Sequence, residues 1–269
     1  MNDNYYDTVR KAFDVASDEY DEDERKNVVR RIMRIRSLEL LKATFRPGQR
    51  ILEIGCGTGT EAIELAKLGI RIVATDISPQ MISRTKQRAE SEQLQDRIHV
   101  SQLAAHDIGV LEARYGPESF DGAYSSFGAL NCEPQLKELV SSLRDLLKPR
   151  SSFVCSVMNK FCLFDFAVNS LLSKRTNRFA SFSPHLGSRE LLPRYYSVRE
   201  FRRMFQGFAV AGVRALPTLL HPPYFEKHLG SLGSAIFAIS RLDWELGRFY
   251  PFNRIGDHFI VTFRRLNGE

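Results

Sequence analysis

Apolar positions along the chain keep two distinct periods. Between residues 5 and 45, Val28, Ile32, Ile35, Leu38, Leu41 and Phe45 recur every three or four positions, with Arg30, Arg31, Arg34 and Arg36 between them. That spacing predicts amphipathic helix, ended by Arg46-Pro47-Gly48-Gln49, where proline offers no N–H and glycine favours a turn. Short apolar runs then alternate with amphipathic ones. Strands are predicted over Arg50–Ile54, Arg71–Thr75, Ile98–Leu103, Phe120–Tyr124 and Ser152–Val157. Helices are predicted over Thr60–Leu68, Pro79–Glu90 and Pro134–Leu147, the last stopped at Pro149. A helix over Ser197–Phe205 and strands over Ala209–Ala215 and Phe259–Phe263 complete the pattern. Residues 159–195 and 216–256 keep no period. Alternation of this kind belongs to α/β folds with a mostly parallel sheet between helical layers.

The composition narrows the class. With 269 residues, 26% charged and 43% hydrophobic, the chain suits one packed domain and excludes a disordered or multi-span membrane protein. Its longest weakly charged runs, Phe161–Leu172 and Leu229–Ser240, fall short of the roughly 20 residues a membrane-crossing helix needs. Four scattered cysteines without a C-x-x-C pair, and no basic-then-apolar leader, predict a cytoplasmic chain with reduced thiols and no metal. The net charge of +6 is uneven: residues 150–214 carry 11 Lys/Arg against 3 Asp/Glu. Phenylalanine is skewed too, 15 of 19 lying after residue 150. Solvated surface, phosphate-bearing or anionic-lipid substrates, and nucleic acid compete as explanations of the charge, and the first irregular stretch could also hold an acidic substrate or rest on a membrane surface. No basic run interleaved with aromatics reads as a nucleic-acid module.

The chemistry concentrates at Ile51–Glu61, where a strand ends in Gly55-x-Gly57-x-Gly59 and a helix begins at once. Such glycines reach backbone angles closed to other residues and let a ligand approach the main chain. Position 60 is Thr, which breaks the G-x-G-x-x-G dinucleotide fingerprint, and no Lys-Ser/Thr follows for a P-loop. Glu53 sits inside the strand, where a carboxylate is costly unless paired. Asp76 falls at the end of the second strand, placed to hold ribose hydroxyls.

These segments resemble the class I S-adenosylmethionine-dependent methyltransferases, in their small-molecule branch. Leu52-Glu53-Ile54-Gly55-Cys56-Gly57-Thr58-Gly59 is similar to the family's first motif, which cradles the methionine part of the cofactor, and Asp76-Ile77 through Met81 to its second, whose acid holds the ribose. His106-Asp107-Ile108 stands where an acid meets the adenine amino group, and Tyr124-Ser125-Ser126-Phe127 resembles the fourth-strand motif. Leu146-Leu147-Lys148-Pro149 matches the helix end before strand five, with Arg150-Ser151 in place of the usual Gly-Gly. The resemblance implies a three-layer, Rossmann-like, seven-stranded sheet with a reversed last strand. It implies S-adenosylmethionine as cofactor and S-adenosylhomocysteine as product. A single domain is expected: residues 1–46 a helical lid, 47–158 the cofactor half, 159–195 and 216–256 a helical or irregular substrate cap, and 197–215 with 257–264 closing the sheet.

Methyl transfer from a sulfonium relies on positioning, and a base is needed only where the acceptor must lose a proton. His185 and His221 lie in the two irregular stretches, and Tyr20 lies in a segment resembling the helix folded over the cofactor, so these three are the candidates to act on the acceptor. His99 and His258 read as structural. The expected acceptor is a small, largely apolar metabolite, with a lipid-like or acidic one also open. An RNA or protein methyltransferase and a catalytically silent binding module are the alternatives. Against the first of these, the fourth-strand motif lacks the Asn/Asp-Pro-Pro-Tyr/Phe common in enzymes acting on base amino groups, and His221-Pro222-Pro223-Tyr224 comes too late to supply it.

Overall fold

The computed structural model describes residues 3–171, 178, 193–225 and 235–267. Seven strands form one sheet: β1 (Arg50–Ile54), β2 (Arg71–Asp76), β3 (Ile98–Gln102), β4 (Phe120–Ser125), β5 (Leu147–Met158), β6 (Phe208–Leu216) and β7 (His258–Arg265). Their order is β3-β2-β1-β4-β5-β7-β6, with β7 antiparallel to both neighbours. This is the Rossmann-like topology with a reversed last strand that the sequence leads one to expect. β1 and β4 run parallel, and the order in which strands join the sheet reverses between them, where a crevice opens at the carboxyl ends of the strands.

Helices α3 (Val28–Thr44), α4 (Thr60–Ala66) and α5 (Pro79–Ser91) cover one face, and α7 (Leu136–Leu146) and α9 (Val198–Met204) the other. The helical amino-terminal segment consists of three helices. Ahead of α3 come α1 (Asp3–Ala16) and α2 (Tyr20–Lys26), and Asn27 caps α3 by accepting from the Arg30 N–H at 2.9 Å. The fifth strand starts earlier than expected, because extended backbone sets in at Leu147 and runs through Pro149. The residue before a proline is barred from helical backbone, so Lys148 could not continue α7.

Both irregular stretches contain helix: α8 (Leu163–Leu171) and α10 (Ala235–Leu246), while α6 (Glu112–Tyr115) is a single turn before β4. In α8 the pattern is inverted, with Asp165 buried and Leu163 and Leu171 exposed, so no apolar stripe announces it. The phenylalanine skew also has a packing origin. Phe153, Phe201, Phe205, Phe208, Phe259 and Phe263 form one buried cluster between the late strands and α9, with the Phe205 and Phe263 rings stacked at 4.3 Å. Phe249 and Tyr250 are exposed, and Phe179 and Phe182 lie outside the described residues.

Candidate active site

Where β1 ends, Gly55, Gly57 and Gly59 take φ of +72°, +54° and +80°. The N–H groups of Gly55 and Cys56 donate to the Thr75 carbonyl at 2.8 and 2.9 Å, tying the turn to the end of β2. Space as well as angle demands glycine at two of these positions. A Cβ on Gly55 would stand 2.4 Å from that of Ala129, and one on Gly59 2.7 Å from Thr85 Cγ2.

Asp76 closes β2 beside this turn. Its Oδ2 accepts from the Gly57 N–H and its Oδ1 from the Ser78 N–H, both at 2.9 Å. Burial pushes its carboxyl up to about 6, although the two N–H groups pull the other way. Behind the turn Glu53 is fully enclosed, in register with Tyr124 of β4, and its Oε2 has no hydrogen-bond partner. Burial, aided by the neighbouring Glu61 carboxylate, raises its carboxyl well above the usual range. Arg34 of α3 answers part of this charge: Nη1 reaches both Glu61 oxygens at 2.7 Å and Nε pairs with Glu24.

A cavity of about 400 Å³ opens over these groups. Gly55, Gly57, Asp76, Ile77 and Met81 form its floor, and Leu103, Ala104, Ala105, Cys132 and Glu133 one wall. Tyr6, Val9 and Phe13 of α1 with Tyr20 of α2 roof it, as a lid would. Its far end is built from Met158, Arg178, Tyr195, Tyr224, Asp257 and His258. A small adjoining recess reaches Cys56, Thr58 and Glu61.

The residues singled out from sequence fall into three groups. Tyr20, Gly55, Gly57, Asp76, Ile77, Met81 and Phe127 line the cavity, and Cys56 and Thr58 the recess. Glu53, Gly59 and Ser125 support the floor from behind: the Ser125 hydroxyl donates to the Ile54 carbonyl at 2.8 Å, and Gly59 opens α4. His106, Asp107 and Ile108 are not on the wall. His106 is held between Glu133 at 3.1 Å and Asp107 at 3.3 Å, Ile108 is buried in the core, and Glu133 faces the cavity there. His221 does not line the cavity either, since its Nδ1 lies 3.0 Å from the Pro222 carbonyl in a buried setting. His185 lies outside the described residues. Sequence reasoning missed Glu133, Arg34 and the Asp257–His258 pair; only the adjacency of that last acid and imidazole could have signalled it.

Residues 51–150 match the family model of a methyltransferase domain. Over that stretch the chain carries a methyltransferase domain, in keeping with the class I S-adenosylmethionine-dependent methyltransferases whose motifs it resembles. Among curated relatives, the chain is 30% identical over 146 residues to a ubiquinone biosynthesis O-methyltransferase of Xanthomonas campestris, covering 51% of this chain and 57% of that one. It thus spans little more than half the length of the relatives it matches. In fold it resembles a geranyl diphosphate C-methyltransferase from Streptomyces coelicolor (16% identity, TM-score 0.55, 86% and 78% of the two chains). It also resembles the [4+2]-cyclase SpnF (19% identity, TM-score 0.57, 87% and 82%). The cofactor of the family is S-adenosylmethionine. A cyclase on the same fold means that the reaction has to be argued from the site.

The residues of the site fit that cofactor. An orphaned, buried Glu53 oxygen and an Asp76 carboxyl raised by burial both gain from a nearby cation, and the cofactor brings a sulfonium and an ammonium. Among the described residues, no helix is long and apolar enough to cross a membrane, and no three His, Cys, Asp or Glu side chains converge as metal ligands would.

Proposed function

We propose that the chain transfers a methyl group from S-adenosylmethionine to a small, largely apolar organic molecule held at the far end of the cavity. The observation that carries this reading is the cavity's continuity: one chamber joins the glycine turn and Asp76 to Met158, Tyr195 and Tyr224. A pocket with apolar walls and few polar groups suits an organic acceptor. When bound, the cofactor supplies an electrophilic methyl on a positively charged sulfur. Asp76, with a lone pair left on each carboxylate oxygen, accepts from the ribose hydroxyls. Leu103, Ala105 and Glu133 flank the adenine end, and Tyr20 and Arg34 stand by the amino-acid end. The Glu53 carboxyl lies behind the turn with an oxygen left to face the cofactor's cationic end, and the α1–α2 roof excludes water.

Charge also favours a neutral acceptor over an acidic one. Of the basic segment 150–214, Arg178 is the described cation on the cavity wall, and it is paired with both Asp165 and Asp257. The lysines and arginines on outer surfaces serve solubility. A quinone-type or similar lipophilic molecule suits the site better than nucleic acid.

Two measurements test the reading together. Thermal unfolding should shift upward with S-adenosylmethionine or S-adenosylhomocysteine but not with NAD, by mass action on the folded state. Methyl-labelled cofactor incubated with a cell extract should pass its label into the organic phase after partition. Absence of both effects overturns the proposal.

A further inference from the structure

The far end of the cavity holds an acid–imidazole pair that the sequence reading treated as a structural turn. His258 opens β7, between Met158 of β5 and Leu216 of β6 in register. Its Nδ1 lies 2.8 Å from Asp257 Oδ2, and Asp257 Oδ1 is gripped by the Arg178 guanidinium. The Asp257 backbone is fixed as well: its N–H donates to the Pro217 carbonyl and its carbonyl accepts from Asn159, each at 2.8 Å. A carboxylate fixed in this way keeps the proton on Nδ1 and leaves the Nε2 lone pair for another partner. No described residue takes Nε2, and the imidazole lines the cavity.

The neighbouring groups keep the pair in that state. Arg178 and burial act oppositely on Asp257, and the guanidinium wins, holding the carboxyl far below the usual carboxylate range. Asp257 therefore stays ionised, orients the ring and steadies an imidazolium when one forms. Asp165 takes the other side of Arg178 and accepts from the Tyr224 hydroxyl at 2.7 Å. The cavity's far end thus holds an imidazole among compensated charges. A chain of close neighbours links it to the glycine turn: a Cβ on Gly55 would stand 2.4 Å from Ala129 Cβ, one on the adjoining Gly128 3.2 Å from Met158 Cγ, and Met158 pairs with His258.

We infer that His258 is the general base of this methyltransferase, oriented by Asp257 and Arg178, and that the acceptor atom is the oxygen of a weakly acidic hydroxyl such as a phenol or an enol. This rests on the methyl-transfer reading above and goes further by naming the atom. The hydroxyl proton passes to His258 Nε2 while an oxygen lone pair forms the new O–CH₃ bond and the S–CH₃ bond breaks, its electron pair staying on sulfur. The products are a methyl ether, S-adenosylhomocysteine and an imidazolium that returns its proton to water. Acceptors that react through an atom carrying no proton to be removed would have no use for this pair.

The test uses the full chain, methyl-labelled S-adenosylmethionine and the organic-soluble fraction of a cell extract as the acceptor pool. Boron tribromide then cleaves the organic product, since it releases methyl ethers as labelled methyl bromide and leaves N-methyl and C-methyl groups in place. Label released as methyl bromide is expected. His258→Asn, which keeps a donor for Asp257 but has no nitrogen at the Nε2 position, should slow transfer about 100-fold or more. Calorimetric affinity for S-adenosylhomocysteine should stay within about twofold of the wild type, which separates lost chemistry from a lost fold. His258→Gln serves as a second variant should the first fail to fold. Asp257→Asn should lower kcat more than it raises KM, as a positioning residue would. Organic label that resists cleavage overturns this inference alone, as does a His258 variant that binds S-adenosylhomocysteine and turns over at the wild-type rate. No organic label from the wild type overturns the parent reading and this one with it.

Discussion

Asp76→Asn separates what Asp76 contributes to binding from what it costs the fold. The carboxyl titrates at about 6 in the folded chain against 3.8 when free of it, a gap worth about 3 kcal/mol against the charged form. Because the folded value is raised, the wild type is most stable below the unfolded value and loses stability as pH climbs through about 6. Asparagine does not titrate. Between pH 5 and pH 8 the variant should therefore gain about 1.4 kcal/mol on the wild type, read as the change in their difference by urea unfolding at each pH. The absolute offset is less informative, since the asparagine amide would set an N–H against the Gly57 N–H and cost about 1–3 kcal/mol. Binding should move the other way. A hydrogen bond to a charged acceptor is worth about 1.5–3 kcal/mol, so affinity for S-adenosylhomocysteine at pH 8 should fall tenfold or more by calorimetry. Wild-type affinity should weaken below about pH 6, as the carboxylate takes up its proton. A stability difference flat across this range, or unchanged affinity in the variant, refutes the assignment of Asp76.

Arg34→Met leaves Glu24 and Glu61 without their cation, and should cost about 3–5 kcal/mol in urea unfolding. Gly55→Ala places a methyl 2.4 Å from Ala129 Cβ at a φ of +72°; it should abolish the cofactor-induced thermal shift, whereas Gly48→Ala, strained alike at a φ of +85° but with open space around it and off the cavity wall, should lower stability yet keep the shift. His221→Ala should lower stability by about 1–3 kcal/mol through lost packing, with kcat within about threefold of the wild type in the label-transfer assay. Binding of total RNA in a filter assay should be weak and vanish near physiological salt, as counterion release dictates for surface charge alone; salt-resistant binding with label entering RNA would reverse the choice of acceptor class.

The cavity floor was legible in the sequence because its determinants are local. Strand, glycine turn and helix follow one another within Arg50–Ala66, and the acid that completes them closes the very next strand. Glu133 was not legible. It reaches the cavity only because the turn after β4 folds back under α1, where the Tyr6 hydroxyl donates to it at 2.6 Å. His258 was hidden for a similar reason: its role depends on Arg178, some 80 positions earlier, and on pairing with a strand a hundred positions away. Phenylalanine-rich composition could not by itself say what the rings do. An aromatic ring that packs a late sheet and one that lines a chamber look alike until the sheet order is known.

The roof over the cavity is fastened almost entirely by polar clasps. Asp14 accepts from the Ser78 hydroxyl and Asp21 from the Thr58 hydroxyl, both at 2.6 Å, while Arg84 and Arg88 reach across to Asp18 and Asp21. The apolar cluster beneath α1 is small, with Val9 and Ala12 its buried members. Charged surface contacts are screened by salt and buried apolar ones are not. Ionic strength thus acts on the roof selectively. Raising it should quicken the escape of spent cofactor while the melting temperature of the sheet hardly changes. Where that escape limits turnover, the enzyme would run faster in salt, with the first twenty-odd residues setting its pace.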